Sequence, residues 1–151
     1  MIITINQSKI INYTAKQMYD LVDNIKSYPE FLPWCNKTYE IERNRQSVIA
    51  TIEIMKSGIK KSFTTKNILT PNKSVVMELV TGPFKHFESY WQFNNLSQSC
   101  EIKFYMSFEF SNRFIATMLN SIFEQIVNKM IDAFSNRAKQ IYSNHLIDYA
   151  K

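Results

Sequence analysis

The feature that most constrains the fold of this chain is a stretch of period-two sequence, residues 37–110, that leads directly into a long helical pattern. In its last part, residues 100–110, apolar and polar side chains alternate strictly. Such alternation places every apolar side chain on one face of a β-strand. A sheet with one apolar face needs a cover, and the helical segment that follows is suited to provide it.

Short turn-forming segments divide the period-two stretch into separate strands. They include the pairs Ser57-Gly58 and Gly82-Pro83, and no helical pattern lies between them. This spacing predicts an antiparallel meander. A further strand is predicted at the N-terminal end. The predicted strands are residues 2–11, 38–43, 48–55, 59–68, 74–81, 86–94 and 100–110.

Two amphipathic helices are predicted, one before the meander in the sequence and one after it. Thr14 and Gln17 form a capping-box pattern that begins a short helix. The second helix begins after Ser111 or Asn112 and runs without Pro or Gly to about residue 142, a length of roughly 45 Å. Its apolar stripe is too wide for a coiled-coil seam.

These elements predict an α+β fold in one domain, residues 1–151. A curved antiparallel sheet of about six or seven strands would wrap round the long C-terminal helix, with one or two short helices after the first strand. Aromatic residues make up 14% of the chain, and it has seven Met. Such side chains give adaptable apolar volume that suits a ligand pocket as well as a core.

The residues that enzymes and metal sites need are scarce. Only two glycines are present, so a glycine-rich phosphate loop cannot form. The two histidines, His86 and His145, do not stand near a second likely metal ligand. Cys35 with His86 would make an unfavourable nucleophile and base, because the apolar stretch around Cys35 raises the pKa of a thiol. We therefore predict no catalytic residue and no metal.

A cluster of four lysines surrounds the predicted hairpin turn at Ser57-Gly58, in a chain with a net charge of +5. The lysines are Lys56, Lys60, Lys61 and Lys66. At a hairpin tip they can contact the phosphates of a lipid surface or of RNA. The alternative is a solvated hairpin whose lysines discourage edge-to-edge pairing.

Several motifs together resemble one family. They are YPEFLPWC at residues 28–35, LVTGPFK at residues 79–85 and FEFSN at residues 108–112. The first motif resembles the signature of the coenzyme Q-binding START-like, or helix-grip, family, whose bacterial members include ribosome association toxins of the RatA type. The resemblance covers nearly the whole chain. Ser89 departs from it, because the family is expected to have glycine there, and the extra side chain would narrow the inner face.

The resemblance implies a protein that is not an enzyme. Its first implied function is to bind ubiquinone or a related polyprenyl lipid in an apolar tunnel and so to support respiratory electron transport, with no cofactor besides this ligand. The alternative is a type II toxin that binds the large ribosomal subunit and blocks subunit association. A cyclase is a third interpretation, against which the lack of a buried acid or histidine pair counts. We expect a cytoplasmic location, and leave open a peripheral contact with the cytoplasmic membrane and the oligomeric state.

In the lipid-binding interpretation, the tunnel lies between the sheet and the long helix. Trp34 and Phe84 lie on connecting segments that would gate its entrance, the first on a lid formed by residues 28–35. Lys85 and the Trp91 indole are candidate donors to a ligand carbonyl. The predicted tunnel residues are Trp34, Phe63, Met77, Phe84, Lys85, Phe87, Trp91, Phe104, Met106, Phe108, Met118, Ile122, Phe123, Ile126 and Met130.

Overall fold

The computed structural model describes residues 1–143, and its framework is a seven-stranded antiparallel sheet. The strands lie in the order β1-β7-β6-β5-β4-β3-β2, so the predicted meander is confirmed and β1 pairs with its last strand. The strands are β1 Ile3–Ile11, β2 Cys35–Arg43, β3 Ser47–Lys56, β4 Ile59–Thr70, β5 Ser74–Thr81, β6 Phe84–Asn95 and β7 Cys100–Phe110. His145 lies outside the described residues.

The helices lie on both sides of the meander in sequence, as predicted. They are α1 Ala15–Asp23, α2 Tyr28–Phe31, α3 Arg113–Asn128 and α4 Met130–Ala138, with a 3₁₀ turn at Ile25–Ser27 and a π-helical turn at Lys139–Ser143. The capping box of α1 is present, with the Gln17 N–H donating to Thr14 Oγ1 at 3.1 Å. Asn112 caps α3, because its Oδ1 accepts from the Ile115 N–H at 2.9 Å.

The long C-terminal helix is confirmed, with one feature that its pattern did not predict. The helix breaks at Lys129, whose N–H bonds to the Ile126 carbonyl at 3.3 Å, and then resumes as α4. At the break the Gln7 side chain on β1 donates to the Asn128 carbonyl at 3.0 Å. This bond supplies one of the partners that carbonyls at a helix end lack.

The sheet presents its apolar face to α3 and α4. On β7, the alternate residues from Cys100 to Phe110 are buried as predicted. Ser107, on the other face, is also buried, and its hydroxyl contacts Thr4 Oγ1 at 3.2 Å and His86 Nε2 at 3.1 Å. No helix within residues 1–143 is both long enough and apolar enough to cross a membrane.

Two turns contain glycine, for different reasons. Ser57 and Gly58 both have positive φ angles, 54° and 77°, as in the two-residue hairpins that match the twist of paired strands. At Gly82 a Cβ atom would lie only 2.7 Å from Phe63 Cβ. Glycine therefore allows the β5–β6 turn to pack directly on Phe63.

Phe134 offers a test of how the terminal helix is held. It is 1% exposed and makes edge-to-face contacts with Tyr28 and Trp91. We expect Phe134→Ala to lower the free energy of unfolding by about 3–5 kcal/mol in urea denaturation. Phe114, 73% exposed on the same terminal segment, is the matched control. Phe114→Ala should change stability by less than about 0.5 kcal/mol, and equal losses would contradict this packing.

Candidate functional site

A narrow cavity lies between the concave face of the sheet and the terminal helices. About 50 Å³ of it admits a water-sized sphere, within about 650 Å³ of free space around the lining side chains. That is room for a few water molecules, whereas pockets for small organic ligands usually measure about 300–1,000 Å³. The cavity is therefore nearly closed in this conformation and has to widen to admit a lipid.

Most of the predicted tunnel residues line this cavity. They are Trp34, Phe63, Met77, Phe87, Trp91, Phe104, Met106, Phe123, Ile126 and Met130. The other lining residues are Ile25, Tyr28, Ala50, Ile52, Ile54, Thr65, Asn67, Val127 and Phe134. Among the described residues 1–143, no lining residue carries a charged side chain, so the cavity suits an apolar ligand or an apolar part of one.

Five predicted tunnel residues lie elsewhere. Lys85 does not point inward, because its side chain is 68% exposed and its ammonium lies 3.9 Å from a Glu109 carboxylate oxygen. Phe84 is a buried core residue, stacked on Phe110, and is not an exposed gate. Phe108 is fully buried in the same aromatic cluster. Met118 and Ile122 pack against the core outside the cavity lining.

The cavity also contains polar groups that the sequence argument missed. Thr65 and Asn67 are buried, and the Thr65 hydroxyl donates to Asn67 Oδ1 at 2.8 Å. Within residues 1–143, the Asn67 side chain forms no hydrogen bond besides the one that its oxygen accepts from Thr65, and the Trp91 indole N–H forms none. The Asn67 amide nitrogen and this indole N–H are donors available to a carbonyl oxygen. Thr65 and Asn67 follow Phe63 at alternate positions of β4, so the period-two pattern is enough to place them on the same inward face.

The predicted lid, residues 28–35, is partly helical. Pro29 sits in the first turn of α2, where proline is tolerated, so the prolines do not exclude helix here. The Tyr28 hydroxyl donates to the Val22 carbonyl. The Phe31 ring lies 5.1 Å from the Phe134 ring. Trp34, at the end of this segment, lines the cavity on one side and an outer groove on the other.

The outer groove runs along α3 and α4 and has a volume of about 600 Å³. Its lining residues are Phe31, Pro33, Trp34, Lys56, Gln125, Ile126, Lys129, Met130, Asp132, Ala133, Asn136, Arg137 and Gln140. Arg137 lies over the Phe31 ring at 5.0 Å and pairs with Glu30 at 3.3 Å. The groove thus combines an aromatic and apolar wall with cationic side chains.

The strand register divides the four predicted lysines between two faces. Lys56 and Lys61 lie on the concave side and line a small cavity of about 20 Å³ with Ile54 and Phe63. Lys60 projects from the other face, where its ammonium lies 3.8 Å from Glu53. Lys66 is exposed on the same outer face, opposite Glu78 in the β4–β5 register. The four therefore do not form one cationic patch.

Cys35 and His86 are not brought together. Cys35 is buried on β2 on the concave side, whereas His86 is on β6, four strand positions away, and contacts Ser107 on the other face. Burial raises the pKa of the Cys35 thiol to about 11, with a smaller contribution from Glu53. Burial likewise raises the pKa of Cys100 to about 11.

Comparison with known proteins identifies the class to which this fold and cavity belong. The family model for polyketide cyclase / dehydrase and lipid transport matches residues 11–135. The chain belongs to this family and has its START-like helix-grip fold, which confirms the resemblance predicted from the motifs at residues 28–35 and 79–85.

Individual relatives narrow the similarity further. The chain is 41% identical over 140 residues to the ribosome association toxin RatA of Escherichia coli strain K12, covering 92% of this chain and 89% of the toxin. It is 27% identical over 150 residues to the mitochondrial coenzyme Q-binding protein COQ10 homolog B of Xenopus laevis, covering 96% of this chain and 62% of that protein. The Zhui aromatase/cyclase of Streptomyces sp. R1128 superposes with a TM-score of 0.80 at 13% identity over 93% of this chain and 95% of that one, a likeness of fold.

The raised thiol pKa values lead to a prediction about reactivity. At pH 8, well below about 11, both buried cysteines should remain protonated and react slowly with a disulfide reagent such as DTNB. Because burial is the main cause, unfolding in urea should restore the usual pKa and make both thiols react quickly. Absorbance at 412 nm measures the released thiolate. Rapid reaction of either thiol in the folded protein would contradict this burial.

Proposed function

We propose that this protein binds the large ribosomal subunit and prevents its association with the small subunit. The observation that carries the proposal is its 41% identity to a ribosome association toxin over nearly the whole of both chains. The similarity to the coenzyme Q-binding protein is lower and spans 62% of that protein.

The charge distribution is compatible with contact to ribosomal RNA. The chain carries a net charge of +5, and cations that replace counterions along phosphates supply most of the sequence-independent affinity for RNA. Lys56 and Lys61 lie on the concave side beside the β3–β4 turn, and neither forms an ion pair with another residue in the range 1–143. Lys60 and Lys66, by contrast, lie on the other face, where Lys60 is partly neutralised by Glu53 and Lys66 is opposite Glu78. We therefore assign the phosphate contact to Lys56 and Lys61.

Two double variants with the same change in net charge test this assignment. Lys56→Glu with Lys61→Glu should weaken co-sedimentation with isolated large subunits in sucrose gradients. Over a series of KCl concentrations, the slope of log affinity against log salt should fall by about two, one for each lost phosphate contact. Lys60→Glu with Lys66→Glu is the matched control and should keep most of the wild-type slope.

The outcomes test the proposed function separately from the assignment of the contact to Lys56 and Lys61. If the wild-type protein does not sediment with the large subunit, the proposed function is wrong. Equal losses in both double variants would instead show that net charge, and not the concave lysine pair, determines binding.

The apolar cavity favours a second function, the reversible binding of ubiquinone or a related polyprenyl lipid, with no chemistry of its own. Such a ligand needs an apolar enclosure and one or two donors for its carbonyl oxygens. The Asn67 amide and the Trp91 indole N–H lie among the apolar lining residues. Support of respiratory electron transport would follow from delivery of this lipid.

Asn67→Leu tests the second function, because leucine keeps the volume and removes the donor. Decylubiquinone binding, followed by quenching of tryptophan fluorescence, should weaken by about five- to tenfold, the equivalent of one hydrogen bond. Thr81→Val, on the exposed end of β5 outside the cavity, serves as the control and should bind normally. Unchanged affinity in Asn67→Leu would show that Asn67 does not contact the ligand. If the wild-type protein does not bind decylubiquinone, the second proposed function is wrong.

A further inference from the structure

We propose that the cavity takes the chain of a single-chain amphiphile whose phosphate head is held outside Trp34 by Lys56 and Lys129. This inference rests on the second proposed function, lipid binding in the cavity, and specifies the ligand as an anion. The groove on the far side of Trp34 is the position of the head group. The ligand would therefore cross the molecular surface beside this side chain.

The cavity and the groove are adjacent and are separated by side chains that line both of them. Trp34, Ile126 and Met130 line both spaces. A ligand chain that enters the cavity past Trp34 therefore leaves its other end in the groove. Trp34 and Met130 are half-buried and Ile126 is buried, so the cavity can widen at this point by movement of the Trp34 and Met130 side chains without movement of the sheet.

Lys56 and Lys129 flank the boundary between the cavity and the groove beside Trp34, which we call the mouth. They belong to different elements. The Met55 N–H donates to the Trp34 carbonyl at 2.9 Å, which fixes the next residue on β3, Lys56, beside the Trp34 segment. On the other side, Lys129 directly precedes Met130 at the helix break, and Gln125 lies one turn before it. Lys56 and Lys129 thus approach the mouth from the sheet and from the helix.

Charge complementarity favours an anion at this position. Within residues 1–143 neither Lys56 nor Lys129 forms an ion pair, and both line the groove. The acidic groove residue Asp132 is 70% exposed and lies 3.6 Å from Lys9. Arg137, further along the groove, is already paired with Glu30. A phosphate monoester, with a charge of about −1.5 to −2 at neutral pH, matches the two remaining ammonium groups.

The shape of the cavity favours a single chain. About 50 Å³ is open to a water-sized sphere, and the lining is apolar except around Thr65 and Asn67. An unbranched or prenyl chain has the smallest cross-section of the common lipid parts, so it needs the least widening. A neutral quinone would bury a bulky ring and leave Lys56 and Lys129 without a counterion.

Ligands that share a chain length separate the contribution of the head from that of the chain. Dodecyl phosphate and dodecanol are titrated into the protein by calorimetry below their aggregation concentrations, with decylubiquinone as a third ligand. Dodecyl phosphate should bind about tenfold more tightly than dodecanol, as expected for two partly exposed ion pairs. The advantage should shrink as salt is raised.

Variants then locate the head group. Lys56→Gln with Lys129→Gln should remove the tenfold advantage of dodecyl phosphate and leave dodecanol affinity unchanged. Lys66→Gln with Lys139→Gln is the matched control, because both are exposed cations outside the groove lining. That variant should keep the full advantage. Inorganic phosphate alone should bind at least a hundredfold more weakly than dodecyl phosphate, because it lacks the chain.

Each result decides between the proposals. Equal affinity for dodecyl phosphate and dodecanol, or an advantage that survives in the double variant, overturns the anionic head-group site. If decylubiquinone binds in that case, the proposed lipid-binding function stands without it. If inorganic phosphate binds as tightly as dodecyl phosphate, the chain contributes nothing to binding. The site would then bind free anions, and the proposal of an amphiphile is wrong. If none of the three chain-bearing ligands binds, lipid binding itself is wrong, and the anionic ligand with it.

Discussion

α3 and α4 cover the concave face of the sheet, and aromatic packing at this contact holds the core, the lid segment and the cavity together. Phe134 on α4 packs against Trp91 on β6 and against Tyr28 and Phe31 of α2, so it joins three parts of the chain. Phe123 on α3 does the same for the aromatic cluster at the other end of the sheet. Burial of these large rings holds both the terminal helices and the lid segment.

The same packing decides where space remains. At the end of the sheet near Phe108 and Phe110, aromatic rings interdigitate and fill the concave face. Further along, β3 and β4 present Ala50, Thr65 and Asn67, which are too small to fill the gap under the helices. The cavity therefore arises from a local change in side-chain size on a continuous sheet. Because the cavity is small, a ligand can bind only by replacing contacts that the lining side chains make with one another in the closed conformation.

Lys56 links the two functional surfaces. It lines the outer groove beside Trp34 and also the small cavity that contains Lys61 on the concave side of the hairpin. A phosphate of ribosomal RNA and the phosphate of an amphiphile would both make use of it. Lys61 belongs only to the proposed ribosome-binding surface, because the strand register places it opposite Ile54 on the concave side. Lys129 belongs only to the groove, because the break in the terminal helix places it at the mouth.

The order of the elements, the antiparallel meander and the apolar face of β7 can be predicted from the amino-acid sequence, because period-two alternation and helical spacing are local properties of the chain. The motifs at residues 28–35 and 79–85 also identified the family. The packing of the helices on the sheet determines which of the predicted tunnel residues line a cavity, which pack in the solid core and which, like Lys85, are exposed to solvent. The tertiary structure also determines the helix break at Lys129 and the separation of the four lysines. These features depend on strand register and on contacts between residues far apart in the chain, which no local pattern encodes.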